Sequence, residues 1–428
     1  MPPNGGLLTR MAGKHTMKLV QTMLTLRRIS RILWIRVALL SALSVLAALS
    51  AELLGPLIPD GPRDRFSEDA TMPILTILAN GMLAVATFSL GVMVSTHRTL
   101  AQQTTPRIHR LLMEDTSTQT MLATFIGAFV FALSSIILYR AGYYSDSASV
   151  IVFAVTVFVV AAIVVSLVRW IGQLSRIGSL EYALLRAEQT AREILYQQRR
   201  LPRLGGCKLE ERPTDGVDIE APRSGFLRRI DMDELQKLAE THEAEVYLDH
   251  LPGDIVLRSQ RLGLLRDCDE AEKFAACFLL ATDRTYEQDP AYALQALRES
   301  ASKALSPGIN DPKTAIDVIA RLERLLWDWA LNTSDTEGPL YDRVFLSELG
   351  AGDLVEAGFR DITRDAAGFG DVLTAVAEAL VRLRGAMPEA GREAISDLLE
   401  DLRAHGEAGL MTARERQRLT DRLAALDA

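Results

Sequence analysis

The chain has 428 residues, of which 48% are hydrophobic and 24% charged, with a formal net charge of −8 and a mean hydropathy of +0.11. This length has room for two or three domains, and the mixture of apolar and charged residues is typical of a protein that is part membrane and part soluble. The negative charge argues against a nucleic-acid-binding protein. An odd number of cysteines without a C-x-x-C pair argues against a disulfide framework or a zinc site.

The first segment, residues 1–33, predicts a basic cytoplasmic tail. It contains Arg and Lys but no Asp or Glu, and no small-residue cleavage site follows the next apolar run. A cleaved signal peptide is therefore not expected. An organelle transit peptide shares this composition and stays open as an alternative. We expect a tail that can lie as a basic helix on anionic lipid.

Residues 34–170 predict a block of four transmembrane helices. Each predicted span has about 20 mainly apolar residues, enough to cross a hydrocarbon core of about 30 Å. The spans are predicted over residues 34–54, 73–94, 121–139 and 149–170. Basic residues dominate the tail, the second loop and the end of the fourth span, whereas the other two loops have no basic excess. The positive-inside rule therefore predicts that both termini face the cytoplasm.

The second predicted span contains a polar residue, Asn80, among small residues that allow close helix packing. Two interpretations are open: Asn80 hydrogen-bonds a neighbouring helix, or it lines a polar path. No Asp, Glu or Lys occupies the centre of a predicted span, and ion-coupled carriers usually need one. We therefore expect an anchor or oligomeric core in preference to a transporter.

The rest of the chain predicts a cytosolic region that is mainly α and partly β. Apolar residues recur at steps of three and four in 171–200, which predicts a juxtamembrane amphipathic helix. This helix packs either on the chain's own soluble domain or against another copy. Prolines and glycines predict a linker over 201–224. Alternating residues around Pro252-Gly253-Asp254 predict a small α/β or hairpin unit over 225–266, and 267–428 predict a helical domain.

Two Asp-Pro steps mark the densest group of polar residues. Aspartate is a strong N-cap and proline suits the first helical position, so each step predicts a helix start. Free N–H groups at helix N-termini bind anions, which makes a ligand site one interpretation and capping alone the other. The candidate ligand-binding residues are Glu287, Asp289, Ser306, Asn310, Asp311 and Thr314.

The run Lys303–Ala315, K-A-L-S-P-G-I-N-D-P-K-T-A, resembles the signature of an uncharacterised bacterial membrane-protein family, domain of unknown function 2254. Lys313 departs from the pattern, since the family usually has an aromatic residue there. The resemblance implies a multi-pass bacterial inner-membrane protein with a cytosolic C-terminal region, and it implies no reaction. Shorter matches extend it from the second span to about Leu326: Thr87-Phe88-Ser89-Leu90, Thr105-Pro106-Arg107, Thr124-Phe125-Ile126-Gly127, Pro252-Gly253-Asp254 and Glu287-Gln288-Asp289-Pro290.

No phosphate loop, nucleophile elbow or metal-ligand spacing occurs, so we expect no catalytic residue, metal or cofactor. The leading hypothesis is an inner-membrane protein whose cytosolic domain binds a ligand or partner protein. It would sit in the lipid bilayer as a homo-oligomer formed through the transmembrane block and the juxtamembrane helix. One alternative is a channel or transporter gated by the cytosolic domain, supported by Asn80. Another is a membrane-anchored hydrolase that uses Asp289 and Asp311 as a carboxylate pair.

Overall fold

The computed structural model describes residues 33–54, 68–113, 117–174, 179–332 and 338–427. These residues fall into two compact units. Unit 1 comprises the chain up to Gln103 together with His109–Tyr182. Unit 2 comprises Thr104–Ile108 together with Ala183–Ala428. Except for its last residue, the predicted basic tail lies outside the described residues, and so does most of the loop after the first span.

Long apolar helices make up unit 1. Within the part of the chain that the structure describes, four helices are long and apolar enough to cross a membrane, as the sequence predicts. The second runs beyond its predicted end at Val94, because no proline or glycine occurs between that residue and Pro106, and a proline disfavours helical geometry in the residue before it. The helices are α1 (Leu33–Leu54), α2 (Glu68–Gln103), the short α3 (Pro106–Met113), α4 (Ser117–Arg140) and α5 (Asp146–Leu174).

The central helix of unit 1 is α4. In the most apolar stretch of α4, 50% of the residues are buried, against 17% in the corresponding stretch of α5. This is so although α5 is the most apolar of the four helices. Phe125 and Phe131 of α4 are almost completely buried. Gly127 faces α1 at close range, and a Cβ placed there would be 3.3 Å from the Cβ of Leu40. The absence of a side chain at Gly127 therefore allows α1 to pack on α4.

Polar contacts hold the ends of these helices. The Arg36 guanidinium of α1 donates to the Thr120 hydroxyl of α4 at 2.5 Å. Near the other end of α1, the Glu52 carboxylate accepts from the backbone N–H of Ser145 at 2.9 Å. These contacts lie near opposite ends of α1, so α1 is held along its length.

We predict that Gly127→Val lowers the free energy of unfolding of the full-length protein by about 1–3 kcal/mol, because the added methyl groups overpack the contact with α1. The matched control is Gly91→Val, since a Cβ at Gly91 meets nothing within 4 Å. Both substitutions put the same β-branched residue into α2 or α4. Denaturant titration in detergent micelles measures the difference, and equal losses for both variants would refute the packing role of Gly127.

Unit 2 contains two small β-sheets. In the five-stranded sheet the order is β1-β8-β4-β6-β2, and β8 runs parallel to both β1 and β4 while the other pairs are antiparallel. The three-stranded sheet has the antiparallel order β5-β3-β7. The strands are β1 (Gly206–Lys208), β2 (Val217–Glu220), β3 (Gly225–Ile230), β4 (Glu245–Leu248), β5 (Ile255–Val256), β6 (Arg261–Arg266), β7 (Phe278–Ala281) and β8 (Tyr341–Leu346).

Two short helices of unit 2, α7 and α8, pack on strands, and the helices from α9 onward pack on one another as a bundle. Aspartate caps α7, α9 and α10, because Asp231, Asp289 and Asp311 each accept a hydrogen bond from the backbone N–H three residues ahead. The helices are α6 (Leu180–Arg200), α7 (Met232–Thr241), α8 (Ala271–Ala275), α9 (Pro290–Leu305), α10 (Pro312–Leu331), α11 (Ala351–Asp365), α12 (Gly370–Arg384), α13 (Glu389–Gly409) and α14 (Ala413–Asp427).

The predicted juxtamembrane helix corresponds to α6, and its apolar stripe is buried within one copy of the chain. Its Glu188 carboxylate is buried and accepts from the guanidinium of Arg321 at 2.7 Å and from that of Arg324 at 3.2 Å, both on α10. The structure therefore matches the interpretation in which this helix packs on its own domain. Residues 175–178, between α5 and α6, lie outside the described residues.

Three boundaries predicted in the cytosolic region differ from the structure. The predicted linker 201–224 contains β1 and β2, whose three and four residues are too few to leave an alternating pattern. The predicted unit 225–266 is not self-contained, because β8 from the predicted helical domain 267–428 inserts between β1 and β4. The Pro252–Asp254 turn does not close a hairpin, since β4 and β5 belong to different sheets.

Candidate functional site

The predicted site residues fall into two groups at opposite ends of α9. This helix has 16 residues, which corresponds to a length of about 24 Å. The prediction of one polar cluster is therefore wrong, because an uninterrupted helix separates the two Asp-Pro steps. Glu287 and Asp289 precede α9, and Ser306, Asn310, Asp311 and Thr314 follow it.

The predicted site residues that follow α9 form hydrogen bonds that shape the turn between α9 and α10. The Ser306 hydroxyl donates to the Lys303 carbonyl at 2.6 Å. The Asp311 carboxylate accepts from both the backbone N–H of Thr314, at 3.1 Å, and its hydroxyl, at 2.5 Å. Asn310 has a left-handed backbone with φ of 52°. Capping thus accounts for the bonds of Ser306, Asp311 and Thr314.

The Thr314 hydroxyl and then its backbone N–H stabilise the ionised carboxylate and lower the pKa of Asp311 below its ordinary 3.8. This cap therefore contributes its full stability above pH 3.8 and loses it as the pH falls through the lower folded-state pKa. We predict that Asp311→Ala costs about 1 kcal/mol at neutral pH. The cost should shrink on acidification below pH 3.8, as measured by denaturant titration against pH.

Asp397→Ala is the control for this cap, because Asp397 is exposed within α13. Its effect should be small, since Ala is a better helix former than Asp. A cost of Asp311→Ala that stayed constant under acidic conditions would contradict the assignment.

Asp289, in the first group, is 3% exposed, and both of its carboxylate oxygens are occupied. One oxygen accepts from the backbone N–H of Tyr292 at 2.9 Å and so caps α9. The other accepts from two nitrogens of Arg284, at 2.9 and 2.6 Å. Burial raises the pKa of Asp289, and Arg284 opposes that effect. Glu287, by contrast, has a side chain that is 57% exposed and lies 4.0 Å from a nitrogen of Arg228.

The Pro252–Asp254 turn lies directly against this carboxylate. A Cβ on Gly253 would be 2.3 Å from an Asp289 oxygen, and the φ of Gly253 is +106°, so glycine is required there on both counts. Two backbone hydrogen bonds join the turn to β3. Gly253 donates to the Leu227 carbonyl at 2.7 Å, and the Leu227 N–H donates to the Asp254 carbonyl at 2.8 Å. Two short motifs from distant parts of the sequence thus meet at Asp289.

A cavity of about 200 Å³ opens beside the Asp289–Arg284 pair. One wall comes from the residues after α6, where Arg203 and Leu204 have left-handed backbones with φ of 56° and 52°. Such strained residues persist only where the surrounding structure holds them, and they concentrate at functional sites. The lining combines apolar and charged groups: Gln198, Arg203, Leu204, Leu251, Pro252, Gly253, Asp254, Arg284, Gln288, Asp289, Pro290, Ala291, Ser347 and Leu349.

A second feature of unit 2 is the segment Thr104–Ile108, here called the clasp segment, which lies in sequence between α2 and the body of α3. Lys303 donates to the Thr104 carbonyl at 2.7 Å. The Tyr286 hydroxyl donates to the Arg107 carbonyl at 3.0 Å. The Arg107 side chain forms an ion pair with Glu299 of α9. These contacts hold both the backbone and the side chain of the clasp segment within unit 2.

Tyr292 connects the clasp segment with the cavity. The guanidinium carbons of Arg107 and Arg284 each lie 4.9 Å from the centroid of its ring. Sequence reasoning missed Arg284, Tyr292 and Glu299, because nothing in the local pattern shows that Arg107 packs beside residues almost 200 positions away. Among the described residues, no group of three or more His, Cys, Asp or Glu side chains is placed to hold a metal ion.

Residues 30–382 match the profile of a family described as predicted membrane protein, domain of unknown function 2254. Uncharacterised proteins of Mycobacterium bovis (strain ATCC BAA-935 / AF2122/97) and Mycobacterium tuberculosis (strain ATCC 25618 / H37Rv) are each 32% identical to the chain over 122 residues. The matched stretch is 26% of this chain and only 23% of each relative. No solved structure matches the chain.

Proposed function

The chain belongs to the family of predicted membrane proteins called domain of unknown function 2254, and from this premise we propose that its four apolar helices span the bacterial inner membrane. Large apolar side chains on their outer surfaces support insertion: Phe158 is 72% exposed and Ile77 is 71% exposed. Water disfavours such a surface, whereas lipid covers it. The charge pattern of the loops supports a multi-pass topology with both termini in the cytoplasm.

We further propose that unit 2 is a cytosolic regulatory domain that binds a small polar molecule in the cavity beside Asp289. The observation that carries this proposal is the buried Asp289–Arg284 pair at the cavity wall. Removing two charges from water costs several kcal/mol per ion, by order of magnitude, so a buried ion pair is seldom justified by stability alone. Fixed charges beside apolar lining residues are typical of a ligand pocket.

The two alternatives receive less support from the structure. Asn80 is exposed on α2, so it lines no path inside a single copy of the described block. Asp289 and Asp311 lie at opposite ends of α9, which is too far apart for a catalytic carboxylate pair. An exposed Asn in hydrocarbon gains from a hydrogen-bonding partner, which supports the proposal that the block forms a homo-oligomer.

The ligand proposal predicts that full-length protein, purified gently from its own membrane, carries a bound small molecule in native mass spectrometry. Ser347→Phe should abolish that bound mass, because Ser347 is exposed at the cavity rim and a phenyl ring there fills the space. Ser396→Phe, on an exposed position of α13, is the matched control and should keep the ligand. The same spectra report the oligomeric state.

A bound mass that survives Ser347→Phe would place the ligand elsewhere. Wild-type protein with nothing bound would remove the ligand proposal. A monomeric mass under all gentle conditions would remove the homo-oligomer.

A further inference from the structure

We propose that Tyr292 is a relay through which the occupied cavity controls the clasp segment and hence the connection between α2 and α3. This inference rests on the proposed function, because it assigns a regulatory consequence to the same cavity. Three observations carry it: the pair of cations over one ring, the separate anionic partner of each cation, and the way in which the clasp segment is held.

The first observation is that Arg107 and Arg284 share the Tyr292 ring at equal distances of 4.9 Å. An aromatic ring attracts a cation through its quadrupole, and two cations close to one ring also repel each other. The position of Arg284 therefore affects the interaction energy between Arg107 and the Tyr292 ring. Tyr286 packs beside the same ring, with centroids 4.9 Å apart, and its hydroxyl also contacts the clasp backbone.

The second observation is that each cation is neutralised by its own carboxylate. Arg284 pairs with Asp289 at the cavity wall, and Arg107 pairs with the half-buried Glu299 of α9. A ligand that accepts a hydrogen bond from Arg284 or donates one to Asp289 changes the electrostatic environment of Arg284. It does not touch the Arg107–Glu299 pair. The attraction between the ring and Arg107 then changes without any contact between ligand and clasp segment.

The third observation concerns what the clasp segment joins. The chain enters it from the end of α2 at Gln103 and leaves it within α3. Its contacts with Lys303, Tyr286 and Glu299 all come from α9 or the residues just before it. Since Asp289 caps α9 and Tyr292 occupies its first turn, a shift at the cavity end of α9 reaches the clasp directly.

The test is a double-mutant cycle read by hydrogen–deuterium exchange at the clasp amides of full-length protein in lipid nanodiscs. Ser347→Phe serves as the cavity probe, so no ligand needs to be identified. Tyr292→Leu should speed exchange at the clasp about two- to fivefold, which corresponds to loss of a cation–π contact. Tyr292→Phe keeps the ring and should exchange at the wild-type rate.

The decisive comparison is the effect of Ser347→Phe in the two backgrounds. We expect filling the cavity to change clasp exchange at least about twofold when Tyr292 is present and to have no added effect in Tyr292→Leu. Equal effects in both backgrounds, or no effect in either, would overturn the relay. If Tyr292→Leu does not fold, Arg284→Lys takes its place in the cycle, because it keeps the charge beside Asp289 but loses the planar group over the ring.

Tyr247→Leu is the control for loss of an aromatic side chain elsewhere in unit 2, where Tyr247 stacks on Phe345 with centroids 4.8 Å apart. It should leave clasp exchange unchanged. The relay and the proposed function fail in different ways. If the protein carries a ligand but the mutant effects are additive, only the relay proposal fails. If no ligand is bound but the mutant effects are non-additive, only the ligand proposal fails.

Discussion

The buried carboxylate of Asp289 is the constraint on which the candidate site depends. Its two oxygens have different tasks, since one caps α9 and the other holds Arg284. Burial makes ionisation of this group costly, and the Arg284 guanidinium offsets part of that cost by donating two charge-assisted hydrogen bonds to one carboxylate oxygen. The close approach of Gly253 completes the enclosure and leaves no room for a side chain at that position. Asp289 therefore contacts the start of α9, the Pro252–Asp254 turn and Arg284 at the same time.

A second carboxylate, that of Glu299, holds a second arginine beside the same helix in unit 2. Arg284 can lie over Tyr292 because Asp289 holds it, and Arg107 lies over the same ring because Glu299 holds it. The clasp segment is short, yet its backbone and side chain are both engaged by unit 2. Because the clasp segment is the continuation of α2 and is bonded to α9 on both backbone and side chain, a change in α9 acts on the residues that follow α2.

Within unit 1, packing is decided by shape more than by hydrophobicity. The most apolar helix, α5, is less buried than α4, so hydrophobicity alone does not decide which helix lies at the centre. What favours α4 at the centre is close approach, which Gly127 permits on the side facing Leu40. This also gives a physical reason for the Thr124–Gly127 motif, which places a large buried ring and a glycine on one stretch of helix.

The sequence by itself determined the features that arise from local chemistry: the four long apolar helices, the aspartate caps of α9 and α10, and the presence of a turn at Pro252-Gly253-Asp254. Hydropathy, capping and steric freedom act over a few residues, so they are readable from the chain. Only the tertiary structure decided that β8 inserts between β1 and β4 and that Arg107 contacts the Tyr292 ring. The first pairing brings Val246 beside Val344, and Arg107 and Tyr292 are still further apart in the sequence. No local pattern encodes which of such distant residues become neighbours.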